Sequence, residues 1–171
     1  MTMNKVYFIS EKNLRAQSLI NDNVDSTYLN SAILTAQTTN LKEVIGSTLY
    51  KKIEDLVISG DIKTEEHAIY QTLLDDYIQP YLINRIMSDI CVPLHYKTRN
   101  AGIVVNADQH FQSASLNEVE YVKNYYEHLS VFNANRVIEF IIKNKDIIPE
   151  CDENWIKMSR NTTKSSIYFR K

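Results

Sequence analysis

The sequence predicts a mainly α fold: a small helical bundle with two long helices, a short β-hairpin or extended excursion between them, and a strand-like C-terminal tail. Three observations carry this. Apolar residues recur at three- and four-residue spacing through most of the chain. Helix-capping signals stand at the segment starts. The region from Leu116 to about Lys145 holds neither Gly nor Pro. With 171 residues, 44% hydrophobic and 23% charged, the chain is globular in composition and long enough for one domain with a real core.

Residues 1–25 read as an N-terminal arm with one or two helical turns, and Ser10 is placed to cap a short helix through Leu14. The first clear helix begins near Ser26, where Leu29, Ala32, Ile33 and Ala36 share one face. Asn40-Leu41-Lys42-Glu43 has the form of a capping box for a very short helix, with Gly46 closing it in the left-handed conformation. Ser47 opens the next helix, striped by Leu49, Ile53, Leu56 and Val57, and Gly60 ends it.

Thr64 is the predicted cap of the first long helix, with Glu65 and Glu66 in its first turn, where the dipole favours them. Ile69, Leu73, Tyr77, Ile83, Ile86 and Ile90 keep the helical period across Pro80, which predicts a kink rather than a break. Pro93 is read as the end of that helix. Residues 95–113 lose the period; Arg99-Asn100-Ala101-Gly102 signals a turn and Ile103-Val104-Val105 a strand. Ser115-Leu116-Asn117-Glu118 is a full capping box, and the helix behind it is on the order of 43 Å long. The organisation is therefore an arm at 1–25, a helical domain at 26–148 and a C-terminal docking tail at 149–171.

Several function classes are excluded or weakened. A formal charge of -2 gives no basic field to recruit nucleic acid, and 3 glycines leave no Gly-rich phosphate loop. No secretory signal is visible, and no window approaches the roughly 20 apolar residues of a membrane span. The 2 cysteines, Cys91 and Cys151, make neither a disulfide framework nor a four-thiolate site. A zinc site from Cys91, His95 and His110 is conceivable, but Pro93 is expected to interrupt the helix between the first two, and a buried thiol is the plainer reading. The acid pairs Glu65/Glu66, Asp75/Asp76 and Glu118/Glu120 sit at helix starts or on solvent-facing arcs, where they have structural reasons to be. No catalytic residue, cofactor or metal is assigned, and the protein is read as not an enzyme.

Protein contact is the chemistry that remains. There are 11 tyrosines, and Tyr121, Tyr125 and Tyr126 crowd the start of the long helix. Tyrosine suits a core edge, and it is also enriched in interface centres. From Ile156 onward the tail holds Lys157, Arg160, Lys164, Arg170 and Lys171 and no acid, with Ile167-Tyr168-Phe169 at its tip. A strand-forming tip on a polar tether suits docking on a sheet edge. The interface candidates are therefore Tyr121, Tyr125, Ile103, Val105, Ile167, Tyr168, Phe169 and Arg170.

The segment Ser26 to Lys51, STYLNSAILTAQTTNLKEVIGSTLYK, resembles the head–tail connector (neck adaptor) proteins of tailed bacteriophages, especially those infecting Bacteroidetes, including the crAss-like group. The residues that carry it are Ala36-Gln37, Leu41, Gly46 and Leu49-Tyr50; Pro80 and the polar stretch Asn154 to Lys164 depart from the pattern. The resemblance implies a structural subunit that assembles as a homo-oligomeric ring, commonly a dodecamer, beneath the portal protein. Its further partners would be other neck or tail proteins and passing genomic DNA, held without specific binding, and its place would be the virion neck after synthesis in the host cytoplasm. Another neck or tail-completion ring protein and a helical protein-binding adaptor are the alternatives.

Overall fold

The computed structural model describes residues 6–20, 23–99, 102–105 and 115–150, with 96–99 and 102–105 described through their backbone. The fold is mainly helical. α1 (Glu11–Ala16) is capped by the Ser10 hydroxyl, which accepts from the Asn13 amide at 3.1 Å. α2 (Ser26–Thr35) is capped by Asp25, whose carboxylate accepts from the Thr27 and Tyr28 amides. Those two bonds hold its pKa below the usual carboxylate value.

The arm expected at 1–25 is, over its described part, a layer of the core. Phe8, Ile9, Leu14 and Ile20 are buried with the helices. Ala36–Leu41 continues α2 as a π-helical turn into α3 (Lys42–Ile45). The capping box predicted at Asn40–Glu43 therefore does not form. Leu41, at φ -63 and ψ -41, keeps the chain helical and no side chain caps α3. Gly46 has the positive φ expected, 79°, but ψ 159° lies outside the left-handed helical well; a side chain there would be strained. α4 (Ser47–Ser59) follows, burying Leu49, Tyr50, Ile53 and Leu56. Gly60, at φ 82 and ψ -2, ends it in the left-handed conformation.

Thr64 does not cap the next helix. Its hydroxyl donates to the Asp61 carbonyl at 2.7 Å and lies 3.0 Å from His67 Nδ1. A short 3-10 turn at Glu65–His67 leads to α5 (Ala68–Thr72), a second π-helical turn at Leu73–Ile78, and α6 (Gln79–His95). Pro80 explains the change of helix type. It has no N–H for the Asp76 carbonyl and its ring crowds the turn before it, so the backbone widens there and the apolar face stays in phase. Pro93 lies inside α6 rather than at its end: it forfeits one bond, to the Asp89 carbonyl, and the packing of α6 against α7 carries the helix past it.

Beyond α6 the backbone of β1 (Tyr96–Arg99) runs antiparallel to β2 (Gly102–Val105), with Tyr96 opposite Val105 and Thr98 opposite Ile103. α7 (Leu116–Lys143) then spans 28 residues, about 42 Å at 1.5 Å per residue. Its capping box is present as predicted. α6 against α7 is the dominant helix pairing, and α7 also packs on α3 and on the Leu73–Ile78 turn. Leu29, Ile33, Leu49, Ile53, Leu73, Ile78, Leu82, Ile86, Val137 and Ile141 meet in one cluster. Among the described residues no helix is long and apolar enough to cross a membrane. The docking tail at 149–171 lies outside the described residues from Cys151 on.

Candidate protein-interface surface

α7 presents two apolar stripes on opposite sides. Its start is fixed by Ser115: Oγ accepts from the Glu118 amide at 3.3 Å, and Glu118 Oε2 accepts from the Ser115 amide at 2.7 Å. The Ser115 hydroxyl also donates to that carboxylate at 2.8 Å. The backbone bond, then the hydroxyl, hold Glu118 below the usual carboxylate pKa. The inner stripe is Tyr126, Ser130, Asn133, Val137 and Ile141, all buried, at the three- and four-residue steps that keep one helix face toward α6.

The outer stripe is Tyr121, Tyr125 and Phe132, at i, i+4 and i+11, which places all three within roughly 40° of one another around the helix. They are 76%, 56% and 61% exposed. Val122 and Val131 flank them and are also exposed. The Tyr125 ring meets Tyr126 edge-on, centroids 5.4 Å apart, so the outer stripe rests on a ring anchored in the core. Tyr126 itself is pushed up in pKa, mainly by burial.

The inner side is tied by polar bonds that leave the backbone satisfied. Asn133 Nδ2 donates to the Leu129 carbonyl, and its Oδ1 accepts from Arg136 at 3.1 Å. The Arg136 guanidinium lies 5.1 Å from the Tyr77 ring centroid, and Tyr77 stacks against Phe140 at 4.4 Å. These residues, with Glu139, Lys143 and Asn144, border a groove of about 370 Å³. A second groove of about 440 Å³ lies between α2 and α6, where Arg85 pairs with Asp89 at 2.9 Å.

The sequence candidates separate. Tyr121 and Tyr125 stand on the outer stripe. Ile103 and Val105 are placed on β2 by the backbone register. Ile167, Tyr168, Phe169 and Arg170 lie outside the described residues. Cys91 and His95 share one continuous helix despite Pro93, but the Cys91 thiol donates to the Met87 carbonyl at 2.9 Å and burial pushes its pKa up. His110 lies outside the described residues, and among those described no group of three metal-ligating side chains occurs.

Two structural roles are not assigned by the sequence, although Gln37 is among the residues of the connector resemblance. Phe132 completes the outer stripe, and assigning both faces of α7 rather than only the inward one reveals it. Gln37 is the other. It is 1% exposed, its Oε1 accepts from the Phe8 amide at 2.8 Å, and its Nε2 donates to the Val6 carbonyl and to the Tyr50 hydroxyl at 2.9 and 3.0 Å. It pairs with the backbone of residues 6–8 as a strand would, and fastens that segment to α4. Phe8 and Tyr50 pack at 5.1 Å beside it.

The model of DUF6712, a family of unknown function, matches residues 41–157, about two thirds of the chain. Leu41, Gly46, Leu49 and Tyr50 fall inside the match, and Ala36-Gln37 precedes it. Neither a curated protein nor a solved structure matches the chain.

Proposed function

The chain belongs to the DUF6712 family, whose function is unknown, and we propose, from the exposed face of α7 and the connector resemblance, that it is a structural subunit of a tailed-phage head–tail connector ring, joining portal to tail around the DNA passage. The observation that carries the proposal is the outer stripe of α7. Three large aromatic rings in solvent on one rigid helix form an apolar contact surface of the kind that marks protein interfaces. The connector resemblance supports the ring in particular. Its residues Ala36, Gln37, Leu41, Leu49 and Tyr50 are all buried, and Gln37 and Tyr50 are bonded to each other, so they act as scaffold.

Electron microscopy of the purified protein should show homogeneous rings whose copy number can be counted, and virions should contain it in fixed ratio to the portal protein. A strictly monomeric protein at high concentration, absent from virions, overturns the reading. DNA binding should be weak, salt-sensitive and indifferent to sequence, since each neutralised phosphate would hold the passing duplex. The same exposed stripe also serves the second reading, a helical adaptor that docks one protein partner; a single defined heterocomplex without rings would favour it.

A further inference from the structure

We propose that the outer face of α7 is the docking site for residues 156–171 of a second copy of this chain. The inference rests on the ring reading and names which surfaces meet. The face offers Tyr121, Tyr125 and Phe132 in solvent. Around the helix Glu118 lies about 60° to one side of Tyr121, and Glu120 and Glu127 lie about 100–120° to the other, with Lys123 behind. Residues 156–171 offer the complement: Lys157, Arg160, Lys164, Arg170 and Lys171, no acid, and the apolar tip Ile167-Tyr168-Phe169. Cations of the incoming segment can lie over the exposed phenol rings and beside the carboxylates while its apolar tip covers Phe132.

The length of the chain beyond α7 permits contact between copies. The described chain reaches Glu150 just past α7, where its carboxylate accepts from the Tyr70 hydroxyl at 2.8 Å. From Lys143 the stripe starts about 16 Å back along the helix at Phe132 and ends about 33 Å back at Tyr121. Residues 151–171 span up to roughly 70 Å when extended, enough to cross to a neighbouring subunit. A ring contact is heterologous: one patch meets a different patch on the next copy. The basic segment and the α7 face are such a pair, and each copy gives one and receives one.

The test uses the full chain with a photo-crosslinking benzoylphenylalanine in place of Phe169, mixed from normal and heavy-nitrogen preparations. Mass spectrometry should find crosslinks from residue 169 to residues 117–136 that join a normal copy to a heavy one. The triple variant Tyr121→Ala, Tyr125→Ala, Phe132→Ala should lose these about tenfold with unchanged helical circular dichroism. Glu120→Lys with Glu127→Lys should weaken them as well, and added salt should do the same. Crosslinks confined to one copy, or reaching only portal protein in virions, overturn the inference. Rings that form without any α7 crosslink overturn it while leaving the ring reading intact; absence of both rings and virion incorporation removes that reading itself.

Discussion

The interior around Gln37 and the outer face of α7 are both rich in aromatic rings, and they treat those rings in opposite ways. Around Gln37 the Phe8 and Tyr50 rings are buried, and the Tyr50 hydroxyl is tied to the Gln37 amide. On α7, Tyr121, Tyr125 and Phe132 stand in solvent on a helix whose other side is fully packed. Burial of a tyrosine requires a partner for its oxygen, and that partner makes the site specific and rigid. Exposed rings on a rigid helix need only a complementary surface. The first region holds the fold together and the second is available to assemble it.

The sharpest break in this comparison comes from two residues on one helix. Ile141→Ala removes a fully buried side chain and should cost about 2–5 kcal/mol. Phe132→Ala, a larger truncation, should change stability by less than about 0.5 kcal/mol while weakening association. Urea titration of both variants checks this, and equal losses would mean that Phe132 belongs to the core.

Gln37→Ala comes next. It strands the Phe8 amide, the Val6 carbonyl and the Tyr50 hydroxyl, and should cost about 2–4 kcal/mol. Hydrogen exchange should show the amide of Phe8 opening first. An unchanged midpoint would mean that residues 6–8 are held by apolar packing alone.

Ser115→Ala removes the cap of α7 and should cost about 1 kcal/mol. Fraying would be confined to the turn before Tyr121, so thermal melts should shift slightly while the outer stripe stays in place. The last effect is confined to alkaline pH and absent at neutrality. Burial pushes the Tyr81 phenol well above its ordinary value of 10.0, so the folded state keeps this proton after the unfolded chain has released it. Its contribution is fully present below pH 10 and is lost as pH rises from there toward the folded value. Tyr81→Phe should flatten the fall of stability with pH in that window; an identical slope would show that the other raised phenols, Tyr28, Tyr50 and Tyr126, carry it.

Much of this was legible because local rules act within a few residues. Ser10 and Ser115 cap the helices they were expected to cap, Gly60 ends α4, and the three- and four-residue apolar steps mark the inward faces of α4 and α6. Those signals depend on backbone donors and side-chain periodicity, both written locally in the chain. Thr64 gave a local signal too, but its hydroxyl was taken by the Asp61 carbonyl; at Asn40 and Pro93 packing overrode the signal. A helix already held on its apolar face does not need to stop where a cap or a proline permits it. The bond from the Phe8 amide to Gln37, 29 positions away, was decided by tertiary structure alone, because a buried amide finds its partners through space rather than along the sequence. The exposure of Phe132 was decided the same way. α7 carries large apolar residues on both sides, so spacing does not choose between them, and only the placement of α6 against α7 left that ring outside.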